Sequence, residues 1–197
     1  MDNATAKQIA TNILDVLKPA CTRIEIAGSL RRGKPDVKDI EIVCVPDVSR
    51  KPRPVFGAAQ TFATALDECV AAQPKWTVHK NGPRYKQIEL PLLAGEFVML
   101  DLFIVLPPAQ WGVIYAIRTG PADFSQWLVT SREKGGALPE YTKVEHGAVY
   151  AYNAASDDAD RLPMPEEIHF LDFLGLGWIE PSERLAHWGM FQKERVR

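Results

Sequence analysis

This chain has no long apolar run, few cysteines and little excess charge of either sign. Its most apolar run, Phe97 to Leu106, is interrupted by Asp101. It falls well short of the roughly 20 residues that a membrane helix needs. The N-terminus is polar from Asp2 to Gln8, so neither a signal peptide nor a membrane anchor is expected. Cys21, Cys44 and Cys69 are odd in number and lack metal-ligand spacing, so they read as free thiols in a reducing cytoplasm. His79, His146, His169 and His187 also form no ligand spacing and read as structural or surface residues. There is no internal repeat and no low-complexity tract. Aromatics are not interleaved with basic residues, which excludes a stacking platform for single strands.

Lys and Arg total 23 against 25 Asp and Glu, for a net charge of −2. That balance argues against a strong non-specific nucleic-acid binder. The charges are nevertheless segregated. Lys18 to Arg53 holds nine basic and five acidic residues, and Lys75 to Lys86 four basic and none acidic. Glu145 to Glu183 holds nine acidic and one basic. An anionic substrate approaching one side suits this polarity, although a solvated surface explains any single charge.

At 197 residues the chain is long enough for one domain or two small ones, each with a real core. Ala6, Ile9, Ala10, Ile13, Leu14 and Leu17 recur at helical spacing, and Pro19 ends that helix. Arg23 to Ala27 alternates as a strand. Phe56 to Ala72 reads as a second helix with Ala59, Phe62, Ala63 and Leu66 inward, after a basic loop marked by Pro46, Pro52 and Pro54. Trp76 to His79 and Tyr85 to Leu90 read as strands around an Asn81-Gly82 turn. Phe97 to Leu106 reads as a central strand buried on both faces. Pro107-Pro108 then marks a boundary. Beyond it, the pattern predicts helices over Trp111 to Arg118 and over Asp123 to Lys134, the latter closed by Gly135-Gly136. Two short paired strands, Tyr141 to Val144 and Val149 to Tyr152, follow. A loose acidic loop, Ser156 to Asp160, and a last helix, Glu166 to Leu174, complete the chain.

The richest stretch is Ala27 to Val43. A strand ends in a Gly28-Ser29 turn with a basic cluster, and the next strand opens on Asp39 and Glu41. Strand side chains alternate, so these carboxylates share a face with Cα atoms about 7 Å apart. Asp101, alone in an apolar strand, costs several kcal/mol in order of magnitude to ionise unless it is paired or metal-bound. A salt bridge to an arginine is the plain explanation, but a second acidic strand is already there for it to join. Asp39, Glu41 and Asp101 on adjacent strands suffice to hold two magnesium ions about 4 Å apart, the spacing of two-metal phosphoryl transfer. Gly28 lets backbone approach phosphates, Ser29 offers a hydroxyl and Arg32 a guanidinium fork. Asp101 can also act as, or position, the base for a 3′-hydroxyl. A Gly-Ser turn is usually only a turn, and Asp-x-Glu at a strand start is often solvated. Their conjunction carries the weight.

Gly28-Ser29-x-Arg31-Arg32-Gly33 with Asp39-Ile40-Glu41 and the later Asp101 resembles the polymerase-beta-like nucleotidyltransferase superfamily. Pro107-Pro108-Ala109-Gln110-Trp111-Gly112, Arg118-Thr119-Gly120, Arg132-Glu133-Lys134-Gly135 and Glu140-Tyr141 narrow the resemblance to the family X DNA polymerases. The closing segments from Glu166-Glu167 to Gly175-Leu176, Trp178-Ile179-Glu180-Pro181 and Glu183-Arg184 agree.

The resemblance implies an α+β fold: a nucleotidyltransferase palm with a mixed β-sheet flanked by helices over 1–107, then a small α+β thumb over 108–197. It implies catalytic and metal-binding carboxylates at Asp39, Glu41 and Asp101, with Mg2+ as a pair of ions and Mn2+ as a substitute. Gly28, Ser29 and Arg32 would bind the nucleotide's β- and γ-phosphates, and Thr119 and Gly120 would sit near its sugar. The implied activity is DNA-directed nucleotidyl transfer to a primer 3′-hydroxyl with pyrophosphate release, in repair or gap filling, by a cytoplasmic monomer. Its partners would be a nucleoside triphosphate and primer-template or gapped DNA. Lys34, Lys38, Arg50, Lys51, Arg53, Lys80, Arg84 and Lys86 are candidates for contacting DNA or triphosphate.

Three departures stand out. Glu41 occupies a position where these polymerases usually carry Asp, and Ile117-Arg118 replaces an aromatic pair. Some twenty residues precede the first strand, so no lyase activity is expected. Transfer to RNA, a protein hydroxyl or a small molecule is the alternative reading, with an inactive nucleic-acid-binding module a third.

Overall fold

Asp2 starts the first helix: its carboxylate accepts from the Thr5 N–H at 2.9 Å and from the Thr5 hydroxyl at 2.7 Å, an N-cap. The computed structural model describes residues 1–49, 64–92, 95–152 and 159–184. The expected basic loop with Arg50, Lys51 and Arg53 lies outside them, as do the first part of the helix expected over Phe56 to Ala72 and Ser156 to Asp158 of the acidic loop. The chain forms two compact units, Met1–Ile26 with Pro35–Leu106, and Ala27–Lys34 with Pro107–Arg197. The fold is α+β. Among the described residues, no helix is long and apolar enough to cross a membrane.

In the first unit, helix α1 (Asn3–Leu17) buries Ala6, Ala10, Ile13 and Leu17, the stripe its spacing predicts. Helix α3 (Ala65–Ala71) begins at a reciprocal cap between Thr64 and Asp67. A five-stranded mixed sheet has the order β1-β2-β5-β4-β3, from β1 (Cys21–Ile26), β2 (Asp39–Pro46), β3 (Thr77–Asn81), β4 (Tyr85–Pro91) and β5 (Phe97–Ile104). Strands β2 and β5 run parallel, and every other pair is antiparallel. One face carries Ile40, Ile42, Cys44, Leu100, Leu102, Ile88 and Leu90, all buried. The other carries Asp39, Glu41, Met99, Asp101, Tyr85 and Gln87, none of them fully buried. Strand β5 is therefore not buried on both faces as its composition predicts. Phe97 is 60 % exposed, Met99 and Asp101 are half-buried, and only Leu102 to Ile104 are covered on both sides. The carboxylate face of the sheet is only half-buried.

In the second unit, α2 (Gly28–Arg31) is a single helical turn where the sequence suggests only a loop. Gly28 has φ +60°, a conformation costly to any residue with a Cβ. Helices α4 (Trp111–Thr119), α5 (Ala122–Leu128) and α6 (Glu167–Phe173) share a core of Val113, Ala116, Phe124, Leu128, Phe170 and Leu171. The helix expected over Asp123 to Lys134 breaks after Leu128. Ser131 leaves it to bridge Leu138, and a separate 3-10 turn, Arg132–Lys134, closes on Gly135 at φ +86°. Arg132 fixes this break by donating to the carbonyls of Ala137 (3.2 Å) and Leu174 (2.9 Å). Strands β6 (Thr142–Glu145) and β7 (Ala148–Tyr152) pair as expected. The stretch read as an acidic loop supplies a third strand, β8 (Ala159–Leu162), on the far side of β7.

Candidate functional site

The half-buried face of the first sheet carries all three predicted carboxylates. Asp39 and Glu41 alternate on one face of β2, and Glu41 is paired across the parallel ladder with Asp101 of β5. Directly paired residues project side chains to the same side of a sheet, so all three carboxylates share one half-buried face. Hard carboxylate oxygens are the donors a magnesium ion takes, so the donor chemistry fits. Among the described residues, however, no three acidic, histidine or cysteine side chains are already gathered as a metal-holding group.

Asp101 is held by two neutral donors that the sequence reading missed. The Tyr85 hydroxyl donates to Oδ1 at 2.6 Å and the Gln87 amide donates to the same oxygen at 3.2 Å. Gln87 is paired with Asp101, and Tyr85 with Phe103, in the antiparallel β4–β5 ladder. The Tyr85 ring stacks on Phe103 with centroids 5.3 Å apart. The alternation of Tyr85, Gln87 and Glu89 along β4 was the available signal. Only the register could attach it to Asp101.

The predicted basic contacts divide. Lys34, Lys38, Lys80 and Arg84 are exposed, and Arg84 donates to the Leu106 carbonyl at 2.6 Å. Lys86 is 2 % exposed, bonded to Asn81 and ion-paired with Asp67 at 2.6 Å. It is a core cation of the first unit, not a contact for DNA. Burial pushes the Asp67 carboxyl up, but the hydrogen bonds of Lys86 and Thr64 and the Lys86 charge outweigh it, leaving Asp67 below its ordinary value. On the same sheet Cys21 and Cys44 are hydrogen-bonded. That bond holds the Cys21 thiol below its usual value against its own burial. The same bond, with burial, pushes Cys44 well up.

In the second unit, Ser29 is half-buried on α2, and its hydroxyl makes no hydrogen bond among the described residues. Arg32 donates from Nη1 to the Thr119 carbonyl at 2.6 Å. Arg31 does more than its neighbour. Its guanidinium lies 3.8 Å from the Tyr115 ring centroid and donates to Thr119 Oγ1 at 2.5 Å and to both oxygens of Glu167. Glu167 also meets the fully buried Arg184 at 2.7 Å. Thr119, expected near a sugar, is fully buried, its hydroxyl and carbonyl taken by the two arginines. Gly120 is there for space: a Cβ would lie 2.6 Å from Phe124 Cδ1 and 2.8 Å from Ser125 Oγ. Arg31, Glu167 and Arg184 were visible only as motif letters, and their meeting is a tertiary fact.

No family model matches the chain, and no curated protein matches it either.

Proposed function

We propose that the chain is a nucleotidyltransferase of the family X DNA polymerase kind, extending a primer 3′-hydroxyl from a nucleoside triphosphate. One observation carries the reading: Glu41 and Asp101 are partners in a parallel ladder, with Asp39 on the same half-buried face. Three carboxylates on one face of adjacent strands offer the hard oxygen donors that a divalent cation takes.

Asp39, Glu41 and Asp101 would hold Mg2+, or Mn2+ in its place, which when bound neutralises polyphosphate charge and makes the attacking hydroxyl more acidic. Asp101 accepts or positions the hydroxyl proton as the 3′-oxygen bonds the α-phosphorus and the bond to pyrophosphate breaks. Ser29, with its free hydroxyl, and Arg32 take the β- and γ-phosphates, as the sequence resemblance implies. Thr119 serves by anchoring Arg31 and Arg32, not by touching sugar. Gap filling in repair is the cellular role this reading favours. A net charge of −2 and the burial of Lys86 favour a second reading, transfer to a non-DNA acceptor.

Primer extension with Mg2+ on a one-nucleotide gapped duplex, beside the same primer without template, separates the two. Templated addition that disappears in Asp101→Ala supports the polymerase. Absence of addition to any DNA by folded, metal-binding protein moves the activity to another acceptor.

A further inference from the structure

We propose that Tyr85 and Gln87 are positioning residues for Asp101, holding Oδ1 so that Oδ2 is kept for a divalent cation and the attacking hydroxyl. This rests on the nucleotidyltransferase reading above. Both donors converge on one oxygen, at 2.6 and 3.2 Å, and among the described residues no donor reaches the other. Two bonds to a single oxygen fix the rotation of the carboxylate while leaving its second edge open.

The chemistry of the donors matters as much as their aim. An aspartate kept only for stability in an apolar strand is best matched by an arginine or lysine, which cancels its charge. Here the partners are a phenol and an amide. Each donates a hydrogen bond without bringing a countercharge. The carboxylate is oriented by donors that bring no countercharge, which leaves a cation as its complement. Lys86, the cation one residue from Tyr85, points to the opposite face and is committed to Asp67.

The donors are themselves held. Tyr85 is stacked on Phe103, 5.3 Å between centroids and 25° between planes, with the Lys80 ammonium 5.6 Å from its ring centroid. Gln87 is the ladder partner of Asp101, so its amide has the shortest route available across the sheet. Outer groups that orient a ligand carboxylate typically matter by about tenfold to a hundredfold in metal affinity or activity.

The test compares wild type, Tyr85→Phe, Gln87→Met and Asp101→Ala. Tyr85→Phe keeps the ring on Phe103, and Gln87→Met keeps an unbranched chain of similar length. Mn2+ binding to nucleotide-free protein is followed by electron paramagnetic resonance, and single-nucleotide extension gives kcat and KM. Each of the two variants is expected to weaken Mn2+ binding and lower kcat by about tenfold or more, with KM for the nucleotide changed less than about twofold. Unchanged Mn2+ affinity and kcat in both variants, with Asp101→Ala inactive, would overturn the positioning role and leave the nucleotidyltransferase standing. If wild type transfers no nucleotide to any acceptor and binds Mn2+ no better than Asp101→Ala, both fall together. Should circular dichroism show Tyr85→Phe unfolded, Gln87→Met decides.

Discussion

Arg31 and Glu167, 136 positions apart in the chain, meet through two hydrogen bonds, Nη2 to Oε2 at 2.6 Å and Nη1 to Oε1 at 3.0 Å. Glu167 is 4 % exposed and serves Arg184, which is fully buried, at the same time. Burial pushes the Arg184 guanidinium down, and the Glu167 charge and hydrogen bond oppose that. The carboxylate thus compensates two cations that would otherwise face each other away from water.

Glu167→Gln is therefore expected to destabilise the second unit by about 3–5 kcal/mol, the cost of stranding a buried charge. Glu167→Leu combined with Arg184→Met should recover part of the loss, because no uncompensated charge then remains at Arg184. Urea unfolding followed by fluorescence measures both.

Asp67→Asn should destabilise the first unit by about 3 kcal/mol at neutral pH, because Lys86 remains buried without its counter-ion. The folded Asp67 carboxyl sits below its ordinary value, so its contribution is present above the unfolded value of about 3.9. It is lost as pH falls through the lower folded value. The difference between wild type and Asp67→Asn should accordingly hold from pH 7 to pH 5 and close below about pH 4, read from denaturation midpoints at each pH.

Gly112 lies under backbone. A Cβ there would fall 2.2 Å from the Glu166 carbonyl oxygen and 2.8 Å from that of Met164. Neither oxygen sits on a flexible side chain, so Gly112→Ala should cost about 2–3 kcal/mol as overpacking, despite alanine's better helix propensity. Thermal melts of the two proteins decide it.

Cys21 should be alkylated by iodoacetamide well before Cys44, since thiolate is the reactive form and the hydrogen bond from Cys44 favours it at Cys21. Cys44→Ala removes that donor and should slow Cys21. Peptide mass mapping over a time course gives the rates.

Period-two and helical patterns made much of this legible. The sharing of one face by Asp39 and Glu41, the helix over Asn3–Leu17 and the β6–β7 pair follow from side-chain alternation and spacing. The pairing of Glu41 with Asp101 was open to inference only as strand adjacency, because register is fixed by the packed sheet. Strand β8 hid behind Asp160 and Arg161, with Leu162 its only large apolar residue, its pairing supplied by β7. Lys86 looked like a surface lysine because its partner, Asp67, comes from a helix whose docking no local pattern encodes. The break after Leu128 was hidden for the same reason, since the bridge from Ser131 to Leu138 and the Arg132 bonds that make it are not local helix signals.

Residues Ala27–Lys34 belong with Pro107–Arg197 although they interrupt the first unit in sequence. Any clone ending at Leu106 keeps Arg31 and Arg32 but deletes Tyr115, Thr119 and Glu167, the groups that hold them. Deletion mapping on this protein would therefore mislead, assigning to the discarded half a property of the turn that stays behind. Genetic dissection needs point substitutions, or a split gene whose two pieces are expressed together.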